Sequence, residues 1–78
     1  MTRLLASIPQ TTSNEIRISL KEIRRQPFVD IRVYTEIRVN EEKVPTGKGF
    51  AFKVSDFETI TDALTQAQAT LGDLKSST

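Results

Sequence analysis

From Pro27 to Val39 the sequence PFVDIRVYTEIRV alternates between two kinds of side chain. Val29, Ile31, Val33, Thr35, Ile37 and Val39 fall on one side of an extended backbone, and Phe28, Asp30, Arg32, Tyr34, Glu36 and Arg38 on the other. Successive strand residues point to opposite faces, so this spacing predicts one long amphipathic β-strand. Its thirteen residues, at about 3.3 Å each, would span about 43 Å, which is wider than a domain this small. Such a strand must twist, bend or bulge to stay within one sheet.

The same alternation marks Glu15 to Ile23, with Ile16, Ile18 and Leu20 inward and Arg17, Ser19 and Lys21 outward. Arg24, Arg25 and Gln26 form a short connection closed by Pro27, which belongs at a strand start because it has no N–H to give a ladder. Asn40-Glu41-Glu42 predicts the turn back. The return, Lys43 to Val54, is interrupted by Pro45, Gly47 and Gly49, so it divides into short strands near 43–46 and 49–54. Ser55 to Leu71 predicts a helix: Ser55 and Glu58 make a capping box, Asp56 suits the first turn, and Gly72 is the stop. Residues 1–14 read as a flexible tail, because Pro9 and the run QTTSN favour irregular backbone, and 72–78 as a polar tail. The expected fold is α+β: a curved four-stranded antiparallel sheet followed by one C-terminal helix, ββββα, over residues 15–71.

The helix carries Phe57, Ile60, Leu64, Ala67 and Leu71 at 3, 4, 3, 4 spacing, a narrow seam of coiled-coil type. Part of it packs on the helix's own sheet. A chain of 78 residues buries only roughly 60–65% of its unfolded surface, however, and this one has no cysteine for disulfides or thiolate metal sites and no histidine. Apolar surface left over by one sheet and one helix is the expected interface of a homodimer.

Net charge is +1, but it is unevenly spread. Glu15 to Lys53 holds nine Lys/Arg against six Asp/Glu, a surplus of three, and Val54 to Thr78 holds one lysine against four acids, a deficit of three. The sheet is basic and the helix acidic, so an anionic partner should meet the sheet. No apolar run approaches membrane-spanning length, and the N-terminal MTRLLASIP is too short for a signal-peptide core. The expectation is an intracellular protein, cytoplasmic or nucleoid-associated, or in host cytoplasm if phage-encoded.

The outward face of the long strand places two aromatic rings among arginines. Bases stack on rings and phosphates sit on cations, so an unpaired nucleic acid suits it; a merely solvated face is the alternative. Arg17 and Lys21 on the first strand, Arg24, Arg25, Arg32, Arg38 and Lys48 supply charge, and Phe28 and Tyr34 supply stacking. Thr46-Gly47-Lys48-Gly49 is not a phosphate-binding P-loop, because Glu42 stands where its first glycine belongs and Gly49 where its Ser or Thr belongs. It is either a flexible turn or a place where backbone approaches a ligand beside Lys48. Asp30 and Glu36 lie about 20 Å apart on an extended strand, too far to share a metal, so a metal-dependent nuclease is not expected. Neither an enzyme nor a cofactor is expected.

In order, these segments resemble the single-stranded-DNA-binding domain of the transcriptional positive cofactor 4 family, with its bacterial and phage relatives. ISLKEI at 18–23 looks like the family's first strand, FVDIRVY at 28–34 is similar to its second, and PTGKGF at 45–50 to its proline-glycine-basic-lysine-glycine turn. The resemblance implies a homodimer whose helices and sheets build the two-fold interface and whose curved grooves bind single strands largely without sequence preference. It places DNA contacts at Lys21, Arg24, Gln26, Arg32, Lys48 and Gly49. Melted duplex or RNA are related ligands, and transcription, replication, recombination or repair the implied processes. Three positions depart from the pattern: Ile23 stands where the family has a stacking phenylalanine, Thr35 where it has a tryptophan, and Gly47 where it has an arginine. The alternative is an interaction scaffold that binds replication or transcription proteins through its acidic helix side.

Overall fold

The computed structural model describes residues 2–76, with the side chain of Ser76 left aside. The chain runs β1 (Thr2–Pro9), β2 (Asn14–Ile23), β3 (Gln26–Thr35), β4 (Val44–Lys53) and α1 (Val54–Ser76). The four strands form one sheet in the order β1-β2-β3-β4, each antiparallel to its neighbour.

The expected ββββα order is present, but its strands are not all the expected ones. Residues 2–9, read as tail, are the edge strand β1. Thr2 pairs with Lys21 and Pro9 with Glu15, with Leu5 bulged out between Leu4 and Ala6. That bulge puts two leucines side by side, which erases the alternation that would have marked a strand. The expected long strand ends at Thr35 rather than Val39, and 36–43 form the connection to β4. The return does not divide in two. It is one strand, in which Thr46, Gly47 and Lys48 bulge opposite Val33 between the pairs Arg32–Gly49 and Tyr34–Pro45. The Thr46 hydroxyl donates to the Val33 carbonyl at 2.8 Å and accepts from the Lys48 N–H at 3.1 Å, so the bulge is internally satisfied.

The β2–β3 connection is also tighter than expected. Gln26 already pairs with Ile23, leaving Arg24 and Arg25 as a two-residue turn with φ of +51° and +65°. Both central residues at positive φ is the hairpin turn whose twist matches the strands, though glycine or asparagine usually fills it.

α1 follows β4 without a linker and begins at Val54, one residue before the predicted cap. It continues through Gly72 to Ser76. A helical glycine costs only about 1 kcal/mol, and Leu74 prolongs the apolar seam beyond it. Of the predicted tail 72–78, residues 77–78 lie outside the described residues. Among the described residues, no helix is long and apolar enough to cross a membrane.

The register sorts the sheet into two faces. Leu20, Val29 and Phe52 line up across β2, β3 and β4, followed by Ile18, Ile31 and Phe50, then Ile16 and Val33. α1 reaches this apolar face through Phe57, whose ring lies 6.3 Å from that of Phe52, and among the described residues touches only β3 and β4. Among the described residues, Val29 is the only buried hydrophobic, at 5% exposure. Phe50, Phe57, Leu64, Leu71 and Leu74 are exposed, and Ile16, Ile31, Val33 and Phe50, with Arg32, Lys48 and Gly49 at the β4 bulge, line an open hollow of about 200 Å³. One chain therefore leaves most of its apolar face uncovered.

Candidate nucleic-acid interface

The opposite face is built by the residues between. Lys21, Phe28 and Lys53 form one row across β2, β3 and β4; Ser19, Asp30 and Ala51 the next; Arg17, Arg32 and Gly49 the third; Glu15, Tyr34 and Pro45 the last. Antiparallel pairing places each set on one surface because directly opposed residues share a side. Ile23 and Gln26 extend this face to the hairpin tip, where Arg24 and Arg25 turn.

Arg17 and Arg32 are directly opposed, and two like charges in that position repel. Each is compensated two residues earlier on its own strand. The Arg17 Nε donates to Glu15 at 3.1 Å, and its guanidinium lies over the Tyr34 ring, 4.3 Å from the centroid. Glu15 also accepts from the Ser7 hydroxyl of β1 and pairs with Lys43 at 3.2 Å. The Ser7, Arg17 and Lys43 contacts hold its carboxyl at about 2, well below the usual carboxylate range.

Arg32 is held from two sides. Its Nε lies 3.2 and 3.3 Å from the two Asp30 oxygens and its Nη2 3.0 Å from Oδ1, while Nη1 donates to the Thr46 carbonyl in the β4 bulge at 3.0 Å. The Asp30 hydrogen bonds and charge raise the guanidinium's affinity for its proton. Lys21 Nζ approaches Asp30 Oδ2 at 3.4 Å. Asp30 is 3% exposed, so a buried carboxylate sits between two cations in the middle of the face.

Of the predicted residues, Arg17, Lys21, Gln26, Phe28, Arg32, Tyr34 and Gly49 share this face, Arg24 and Arg25 cap one end, and Lys48 stands in the bulge at its β4 side. Arg38 does not join them. It lies in the 36–43 connection, paired with Glu41 at 3.9 Å. Tyr34 is not an open platform, since Arg17 covers one side of its ring. Three participants went unpredicted. Lys53 completes the row of Phe28, which only the β3–β4 register reveals. Asp30 and Glu15 set which cations are occupied; their i, i+2 spacing before Arg32 and Arg17 was the available signal. Arg24, Arg25, Lys48 and Lys53 have no ion pair among the described residues; Arg24, Arg25 and Lys53 are the open cations of the face, and Lys48 stands at its β4 edge, where it borders the hollow on the apolar side. Thr35, where a family tryptophan was expected, is on the other surface with Asn14, to which its hydroxyl donates at 2.6 Å.

Residues 11–63 match the family described as Transcriptional Coactivator p15 (PC4). The chain belongs to the PC4 family. The fold agrees: a crystallised PC4 homologue from Burkholderia pseudomallei superposes with a TM-score of 0.75 at 24% identity, over 87% of this chain and 98% of that one. A bacteriophage T5 homologue of the eukaryotic coactivator PC4, implicated in recombination-dependent DNA replication, superposes at 0.66 with 20% identity, over 95% and 81%. No curated protein sequence matches the chain. The PC4-family match spans β2, β3, β4 and the start of α1, the segments that carry the basic face and the first turns of the seam.

Proposed function

We propose that this protein is a homodimeric single-stranded-DNA-binding protein, largely indifferent to sequence, that acts in DNA metabolism: transcription coactivation, replication, recombination or repair. The observation that carries this reading is the sheet face itself. It combines three open cations, Arg24, Arg25 and Lys53, and the exposed Lys48 at its β4 edge with the half-buried Phe28 ring and the exposed Ile23. A flexible strand brings phosphates to the cations while its unstacked bases reach the rings; a duplex keeps its bases stacked inside. Membership of the PC4 family and the fold shared with the T5 homologue support the same role.

The dimer is supported by the uncovered apolar face. A second copy is its natural cover, because the seam on α1 and the hollow beside Phe50 are presented by every copy alike. The exposed acids Asp56, Glu58 and Asp62 on α1 favour a second role for the helix side, contact with replication or transcription proteins.

The test is fluorescence anisotropy with an oligo-dT strand and a duplex of equal length across a salt series. Engagement of about four phosphates gives a log-log slope near −3 for the single strand. Tighter binding to the duplex, or a flat salt response, contradicts the reading.

A further inference from the structure

We infer that Asp30 is an internal counter-ion of the basic face, occupying in the free protein the cationic groups that a phosphate of the bound strand would take. The inference rests on the nucleic-acid reading above and concerns how that face is tuned. Asp30 accepts from the Nε and Nη2 edge of Arg32 and lies 3.4 Å from Lys21 Nζ. That edge is the fork by which arginine grips a phosphate in bidentate fashion, so the carboxylate and an incoming phosphate compete for the same donors. Arg32 has a further donor committed to Thr46. Lys21 and Arg32 are only 26% and 22% exposed in this arrangement, whereas Arg24, Arg25, Lys48 and Lys53 are open. The centre of the face therefore holds two positive charges and one negative, and its contribution to counterion release is smaller than its count of basic residues suggests. Such a face grips polyanions less tightly, and the open cations and rings around it weigh more in the choice of ligand.

The test compares the wild-type protein with Asp30→Asn, which keeps the shape and removes the charge. Both are titrated with oligo-dT, with a duplex of equal length, and with inorganic polyphosphate, at several salt concentrations. The expected result is tighter binding by Asp30→Asn with a single-strand slope steeper by about 0.7 per phosphate newly engaged, which alone is a gain of about 2.6-fold between 200 and 50 mM salt. Unchanged or weaker binding with the wild-type slope overturns the inference, because Asp30 then only positions Arg32. If the wild-type protein binds neither strand nor duplex, the proposed function falls, and the polyphosphate arm decides the role of Asp30 by the same two outcomes. If Asp30→Asn does not fold, the Arg32 Nε–H signal in the NMR spectrum of the wild-type protein decides. Movement on addition of oligo-dT or polyphosphate supports exchange of carboxylate for phosphate, and a stationary signal overturns it.

Discussion

Gly49 is where β4 regains register after its bulge, with φ of +149°. A Cβ there would stand 2.3 Å from the Ile31 carbonyl oxygen and 2.7 Å from the Arg32 Cα, both backbone atoms that cannot step aside. Gly49→Ala should therefore cost at least about 2 kcal/mol in urea denaturation, since an unfavourable φ alone costs about 1–3. Gly47, with nothing near its missing Cβ, should accept alanine with little loss. Glu15 gives a prediction with a sign. Its carboxyl is held at about 2 in the folded protein, against 4.5 ordinarily. A group depressed on folding stabilises the native state above its unfolded value and loses that effect as pH falls toward the folded one. Thermal stability should thus decline between about pH 4.5 and 2, and Glu15→Gln should flatten that decline.

At the scale of elements, β2 and β3 were legible because strict alternation over them reflects one wet and one apolar face. Phe28, Arg32 and Tyr34 could be assigned together from period two alone. β1 was not legible, since Leu4, Leu5 and Ile8 are exposed on an edge strand and the bulge at Leu5 breaks the period. Its identity comes from pairing with β2, a non-local fact. The β4 interruption was visible in Pro45, Gly47 and Gly49, but whether it ended the strand or bulged it depended on what Val33 could bond across the ladder. The pairing of Glu15 with Arg17 and of Asp30 with Arg32 was not legible, because i, i+2 neighbours on one strand face meet only when their rotamers converge. The Arg24–Arg25 turn yields the prediction proper to this scale. Left-handed backbone costs a non-glycine residue roughly 1–2 kcal/mol, so replacing the pair by Asn-Gly should raise stability by about 1 kcal/mol or more. The same change should flatten the salt slope for oligo-dT by up to about 1.4, if both arginines hold phosphates. Stability and affinity moving in opposite directions would mark the turn as retained for binding.

At the scale of the whole molecule, a single copy is not compact. Its radius of gyration is 15.5 Å, against about 11.5 Å for a folded chain of this length. The 23-residue helix, about 35 Å long, touches the sheet near its start through Phe57, and beyond it the seam residues Leu64, Leu71 and Leu74 are exposed. The proposed homodimer would account for this shape. Light scattering should give twice the chain mass, and the thermal midpoint should rise with protein concentration, as it does when folding and association are coupled. Leu64→Asp, on a residue 64% exposed in one copy, should abolish the dimer and much of the helicity, although a surface position of a monomer would tolerate it. The most direct measurement of the central claim is titration of the isotope-labelled protein with unlabelled oligo-dT, followed residue by residue in NMR spectra. Signals of Lys21, Arg24, Arg25, Phe28, Lys48 and Lys53 should shift together, while those of Asp56, Glu58 and Asp62 stay in place. Shifts confined to α1, with the sheet face silent, would contradict that claim.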